Sequence, residues 1–211
     1  MTSADPTYQL NGGFKPTLKR SADLDGPDYF PTPDWATAAL LEVEKFEGVI
    51  WEPACGDGSM SRVLESMGNE VVSSDLYDRG FGEVGIDFVT ANRVVDNIVT
   101  NPPYNSAEKF VAAGLRQARR KFALLLRLAF LEGGNRYRTI FSCTPPGRVW
   151  AFSERITFYM AGAERKGSGT TAYAWFIWDS DHTGGTQLKW LAPGCKARYS
   201  SQETTKPMLF R

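Results

Sequence analysis

Four consecutive residues, Asn101-Pro102-Pro103-Tyr104, form the segment of this chain best suited to chemistry. They follow the apolar run Ile98-Val99-Thr100. Two prolines in succession continue neither a strand nor a helix, and they stiffen the backbone. A rigid backbone at the end of a buried strand can hold a carbonyl in a fixed direction. Two acceptors, the Asn101 side-chain oxygen and the Pro102 carbonyl, can bond both hydrogens of an exocyclic amine. Such an amine is a poor nucleophile, because its lone pair is delocalised into the ring. Two acceptors favour a pyramidal nitrogen with its lone pair free, and acceptors placed in advance for developing charge are electrostatic preorganisation. Tyr104 can stack on a base, a contact worth about 1–3 kcal/mol. Asn101, Pro102, Pro103 and Tyr104 are the predicted catalytic residues.

Upstream lies a glycine turn, Glu52-Pro53-Ala54-Cys55-Gly56-Asp57-Gly58. Gly56 and Gly58 let the backbone turn tightly and approach a ligand. Glu52, at the end of the preceding strand, suits a cationic ligand group better than a pyrophosphate. Asp75 ends the next apolar run about 20 residues beyond the turn, the usual offset for a carboxylate that grips ribose hydroxyls. Asp87 can accept from an adenine amino group, and Phe88 can cover its ring.

These residues need a scaffold. Pro31-Thr32-Pro33-Asp34 starts a helix with Ala36, Ala39, Leu40 and Val43 at helical spacing. Gly48 to Trp51 reads as a buried strand, Ser59 to Met67 as a helix stopped by Gly68, and Glu70 to Ser74 as a strand. Val94 to Thr100 is a strand, Ser106 to Arg120 a helix, and Phe122 to Leu128 a central strand, apolar apart from Arg127. This rhythm predicts a doubly wound, mostly parallel α/β sheet with helices on both faces. Beyond it, a short helical stretch is expected at Arg136 to Phe141, and strands at Arg155 to Met160, Ala172 to Trp178 and Gln187 to Leu191. Residues 1–28 read as a polar arm, 29–192 as a single domain with short insertions near 131–171, and 193–211 as an irregular tail.

Net charge is zero, so composition alone does not announce a nucleic-acid binder. The charge is unevenly spread: eleven basic residues and three acidic ones lie between Arg116 and Lys166. A local basic face can contact phosphates on a neutral protein. Arg136, Arg138, Arg148, Arg165 and Lys166 are the predicted backbone contacts. Three cysteines and one histidine show no zinc spacing, so no metal is expected. Cys55 reads as a small buried residue, since no neighbouring base would activate it. His182 reads as a loop residue. No membrane span or secretory signal is visible, and a cytoplasmic location, in a bacterium or a phage-infected host, is expected.

The combination of E-P-x-x-G-x-G at Glu52 to Gly58 with N-P-P-Y at Asn101 to Tyr104 resembles class I S-adenosylmethionine-dependent methyltransferases that modify amino groups. The resemblance covers Tyr29 to Phe130, about half the chain. It includes Tyr29-Phe30-Pro31-Thr32-Pro33, a segment these enzymes place over the methionine end of the cofactor. The downstream stretch resembles small adenine methyltransferases of phages and prophages. The resemblance implies a Rossmann-like seven-stranded sheet whose last strands are antiparallel. It implies S-adenosylmethionine as cofactor, held by Tyr29, Phe30, Pro31, Thr32, Glu52, Pro53, Ala54, Gly56, Asp57, Gly58, Asp75, Leu76, Asp87, Phe88 and Asn101. It implies methyl transfer to adenine N6 in DNA, with RNA adenine N6 and protein glutamine nitrogen as alternatives within the same chemistry. Cytosine N4 is less favoured, because that subgroup usually has Ser where this chain has Asn101. From a different class, a non-catalytic nucleic-acid-binding partner with a relict cofactor fold is the competing reading. There is room for short insertions only and not for a large recognition domain. A short target site, an RNA substrate, a homodimer or a partner subunit therefore stays open, and a base inside a duplex must be flipped out.

Overall fold

A computed structural model of the chain describes residues 30–158 and 169–200. Helix α1 (Asp34–Val43) begins after Pro33 and buries Trp35, Ala36, Ala39 and Leu40 on its sheet-facing side. Helix α2 (Ser59–Ser66) buries Met60 and Leu64 and stops at Gly68, as expected from its glycine. Helix α3 (Ala107–Gln117) ends three residues before the predicted Arg120.

Between and after these helices lie eight strands: β1 (Ile50–Glu52), β2 (Val71–Asp75), β3 (Glu83–Val84), β4 (Val95–Thr100), β5 (Ala118–Arg127), β6 (Arg148–Phe152), β7 (Tyr173–Asp179) and β8 (Gln187–Leu191). They form one sheet in the order β3-β2-β1-β4-β5-β7-β6-β8. The count exceeds the expected seven. Only β7 runs against its neighbours; β6 pairs parallel with β8, so the expectation of several antiparallel final strands is corrected. The sheet core is covered on both faces, which is why Phe122 to Leu126 of β5 and Tyr173 to Trp178 of β7 are all buried. Alternation sends Ala123 and Leu125 to the α1 and α2 face, and Phe122, Leu124 and Leu126 to the α3 face.

Close packing of α3 depends on Gly114. A Cβ there would stand 2.3 Å from Cζ of Phe122, so only glycine lets the helix sit this near β5. Three further differences from the expected elements follow from tertiary contacts. Residues 118–120, predicted helical, open β5 instead, where Arg120 pairs with Glu47 and Arg119 with Asp96. The strand expected at Arg155 to Met160 is replaced, over its described part, by β6 just upstream. The tail contains a short helix, α5 (Cys195–Ser200), docked on α1 through Arg198 and Tyr199 to Glu42.

The chain leaves β1 toward β2 and β3 on one side and returns to β4 on the other. Strand order therefore reverses between β1 and β4. The carboxyl ends of these two strands flank the crevice where open α/β sheets bind ligands. No described helix is long and apolar enough to cross a membrane.

Candidate active site

A cavity of about 630 Å³ opens at that crevice, a volume typical of small-ligand sites. One wall is the turn after β1. Glu52 ends the strand and is almost wholly buried. The turn is laced to β2: Cys55 N donates to Ser74 O at 3.0 Å, and Gly56 N to Asp75 Oδ2 at 2.9 Å. Gly58 carries φ +81, and a Cβ there would meet the Phe81 ring at 2.5 Å, so the turn needs glycine on two counts. Asp75 Oδ1 accepts from Tyr77 N at 2.9 Å. Each carboxylate oxygen thus has one backbone donor and keeps a second lone pair for a hydroxyl.

Burial pushes the Glu52 carboxyl well above the usual carboxylate range, and the nearby Asp75 and Asp57 charges push the same way. The Ser61 hydroxyl, which donates to Glu52 Oε2, opposes them. Ser61 in turn is bonded to Ser73 Oγ at 2.7 Å. Burial likewise pushes the Cys55 thiol up to about 12, which rules out a thiolate nucleophile at neutral pH.

The facing wall is the segment after β4. Asn101, Pro102, Pro103 and Tyr104 all line the cavity. Ser106 N donates to Pro103 O at 2.8 Å, closing a 3₁₀ turn over Tyr104 to Ser106 that leads into α3. The Asn101 amide is oriented by Thr32, whose Oγ1 accepts from Asn101 Nδ2 at 3.0 Å. Asn101 Oδ1 is buried and has no partner. The Tyr104 ring lies 5.9 Å from Tyr173 and carries the Arg127 guanidinium at 4.9 Å. Burial and the adjacent Tyr173 phenol raise the Tyr104 hydroxyl far above its ordinary range, so it stays protonated.

The cavity gathers most of the predicted set: Phe30, Thr32, Glu52, Pro53, Ala54, Asp75, Leu76, Asp87, Phe88 and the Asn101 to Tyr104 segment. Gly56 and Gly58 shape the turn behind it. Asp57 does a different job from the expected ligand contact, since its Oδ1 accepts from Ser59 N at 2.9 Å and holds the first turn of α2. Pro31 is not part of the lining. Phe88 is wedged between Trp51 and Phe110, at 5.2 and 4.8 Å, and offers a ligand only an edge. Tyr29, Arg165 and Lys166 lie outside the described residues, as does the 1–28 arm.

Two predicted phosphate contacts are spent on the fold. Arg148 is a correction: its side chain is only 14% exposed and bridges Glu44 at 2.9 Å and Asp179 at 2.6 Å. Lys121 and Trp150 bond the same Glu44 carboxylate. Arg136 bonds the carbonyls of Phe130 and Glu132 at 2.9 and 2.7 Å, and so fastens residues 130–136 together. Arg138 is exposed, beside the exposed Tyr137. Arg127 was missed as a site residue. Its signal was a lone cation ending an apolar strand. His182 lies away from this cavity, beside a smaller one of about 350 Å³ between α3 and the end of β7.

No protein-family model and no curated protein matches the chain by sequence. Solved structures match its fold. A modification subunit assigned to a type I restriction enzyme of Vibrio vulnificus aligns at 14% identity and TM-score 0.53, over 82% of this chain and 49% of that one. The M protein of the type I restriction enzyme EcoKI aligns at 14% identity and TM-score 0.52, over 72% and 44%. A protein assigned as a class I S-adenosylmethionine-dependent methyltransferase from Listeria monocytogenes aligns at 15% identity and TM-score 0.51, over 81% and 70%. The chain thus spans about half the length of the Vibrio subunit. The fold is the Rossmann-like fold of class I S-adenosylmethionine-dependent methyltransferases.

Proposed function

We propose that this chain transfers a methyl group from S-adenosylmethionine to the N6 amino group of adenine in DNA. The observation that carries the reading is the state of Asn101. Its Nδ2 is committed to Thr32, while Oδ1 is buried without a donor at the cavity. A buried acceptor without a partner costs about 1–3 kcal/mol. An N–H of a planar amine entering the cavity removes that cost and has its proton drawn out of the ring plane.

The opposite wall fits the cofactor. Glu52 is a carboxyl in a dry pocket with no cation beside it, which suits the ammonium or sulfonium of S-adenosylmethionine. Asp75 retains lone pairs for ribose hydroxyls. When bound, the cofactor supplies an electrophilic methyl group. The chain's part is to hold the amine and exclude water. Tyr104 provides an aromatic face for the base, and the stiff Pro102-Pro103 pair fixes Asn101 relative to β4.

Likeness to modification subunits of type I restriction enzymes supports a nucleic-acid target over a protein one. So do the exposed Tyr137 and Arg138. The test is transfer from labelled S-adenosylmethionine to unmethylated DNA, RNA and protein, with analysis of the products. N6-methyldeoxyadenosine that disappears in N101A is the expected result. Methylglutamine keeps the chemistry and overturns the target; no transfer and no cofactor binding overturns the enzyme reading.

A further inference from the structure

Arg127 ends β5 immediately after five buried apolar residues, and its side chain emerges at the rim of the cavity. Its guanidinium lies 4.9 Å from the centroid of the Tyr104 ring. Among the described residues it makes no hydrogen bond and no ion pair. Arg136 and Arg148 differ, because both are satisfied internally. The carboxylates of the cavity are also committed: Glu52 to Ser61, Asp75 to the backbone of Gly56 and Tyr77, Asp87 to the backbone of Val89.

Stacking uses the face of a guanidinium and leaves its edge, with five N–H donors in a planar fork, for an oxyanion. The ring that carries Arg127 is the one assigned above to the target base. A nucleotide whose base enters the cavity keeps its sugar and phosphates at the mouth, where Arg127 is exposed. We infer that Arg127 grips a backbone phosphate of the target strand next to the nucleotide being methylated. This inference rests on the proposed function and deepens it: the substrate is an oligonucleotide, and a free base, a nucleoside or an amide side chain lacks the group that Arg127 recognises. The methionine carboxylate of the cofactor is the competing oxyanion. Phosphate is favoured because Arg127 sits on the Tyr104 side of the cavity, whereas the cofactor wall is the Glu52 turn across from it.

The experiment compares the wild-type protein with R127Q and R127K. Binding of a fluorescent single-stranded oligonucleotide containing adenine is measured by anisotropy across a salt series. Calorimetry gives S-adenosylmethionine affinity, and steady-state kinetics gives KM and kcat. R127Q is expected to raise the oligonucleotide KM about tenfold, far more than it lowers kcat. It is expected to reduce the slope of log affinity against log salt by about 0.7, the loss of one phosphate contact on a single strand. R127K keeps the charge and is expected to keep the slope. Cofactor affinity is expected to be unchanged in both. A wild-type slope and KM in R127Q overturn the inference. A loss of cofactor affinity in its place assigns Arg127 to the cofactor carboxylate and also overturns it. Failure of the wild-type protein to methylate any nucleic acid removes the underlying reading, a result distinct from a binding slope that fails to move.

Discussion

Replacing Thr32 by valine tests the acceptor geometry without touching the acceptor. Thr32 is buried, and its hydroxyl is the partner of Asn101 Nδ2 at 3.0 Å. While that bond exists, the amide is held with Oδ1 free for the target amine. Valine keeps the shape of the side chain and removes the bond. The two orientations of the amide then lose an energy difference of one hydrogen bond, about 1 kcal/mol and so about fivefold in population. T32V is therefore expected to lower the single-turnover transfer rate about three- to tenfold, with T32S close to wild type. N101A removes the acceptor itself and is expected to cost about 10²–10³-fold, the usual loss for one preorganised polar group. Cofactor binding, followed by calorimetry, is expected to change little in either variant. A T32V loss as large as that of N101A would mean that Thr32 acts on the target directly. No loss at all would mean that something other than Thr32 orients the amide. Either result refutes the reasoning.

Glu52 makes cofactor binding depend on pH. Burial and then the neighbouring acidic charges keep its proton on the folded chain to higher pH than on the unfolded chain. Its contribution to stability is therefore present at low pH and is lost as pH rises through the raised pKa. A bound cation favours the carboxylate, so S-adenosylmethionine affinity should rise over that range and binding should release a proton. Calorimetry in buffers of different ionisation enthalpy reads this directly; E52Q should abolish it and weaken binding roughly tenfold or more, and buffer-independent heats in the wild type would refute it. R148M should destabilise the fold by about 3–5 kcal/mol, because Glu44, 4% exposed, loses its main partner. Burial alone would raise the Glu44 and Asp179 carboxyls, but hydrogen bonds led by Arg148 hold both below their ordinary range. Their stabilisation is thus present above the usual carboxylate range and lost as pH falls through the lowered values, and R148M should flatten that acid limb in thermal melts. Its oligonucleotide salt slope should match wild type, and a reduced slope would return Arg148 to the phosphate contacts. G114A should cost about 1–3 kcal/mol by overpacking against Phe122, and a variant melting with the wild type would refute the close-approach argument.

Most elements around the crevice were legible because their signals are local. Ile50 and Trp51 form a short apolar run after a glycine, and the Asn101-Pro102-Pro103 break ends β4 where the chain must turn. What was not legible depended on partners far away in the chain. Ala118, Arg119 and Arg120 suit a helix by propensity, yet pairing of Ala118 with Val95 and of Arg120 with Glu47 draws them into β5. Arg148 looked like a surface cation because its carboxylate partner, Glu44, is 104 residues upstream. The same limit explains why a count of basic residues between 116 and 166 pointed to the wrong arginine. Cations in mixed polar stretches have carbonyls and carboxylates to engage, as Arg136 does with Phe130 and Glu132. A cation that closes a run of buried apolar residues has no such neighbours. Arg127 follows Leu124, Leu125 and Leu126, so its strand can offer it only backbone already used in the ladder with β7. It emerges at the carboxyl end of the sheet, where this fold binds its ligands, with its donors unspent. In a parallel α/β chain, the isolated arginine at the end of a central strand is thus a sharper pointer to a ligand contact than the densest cluster of positive charge.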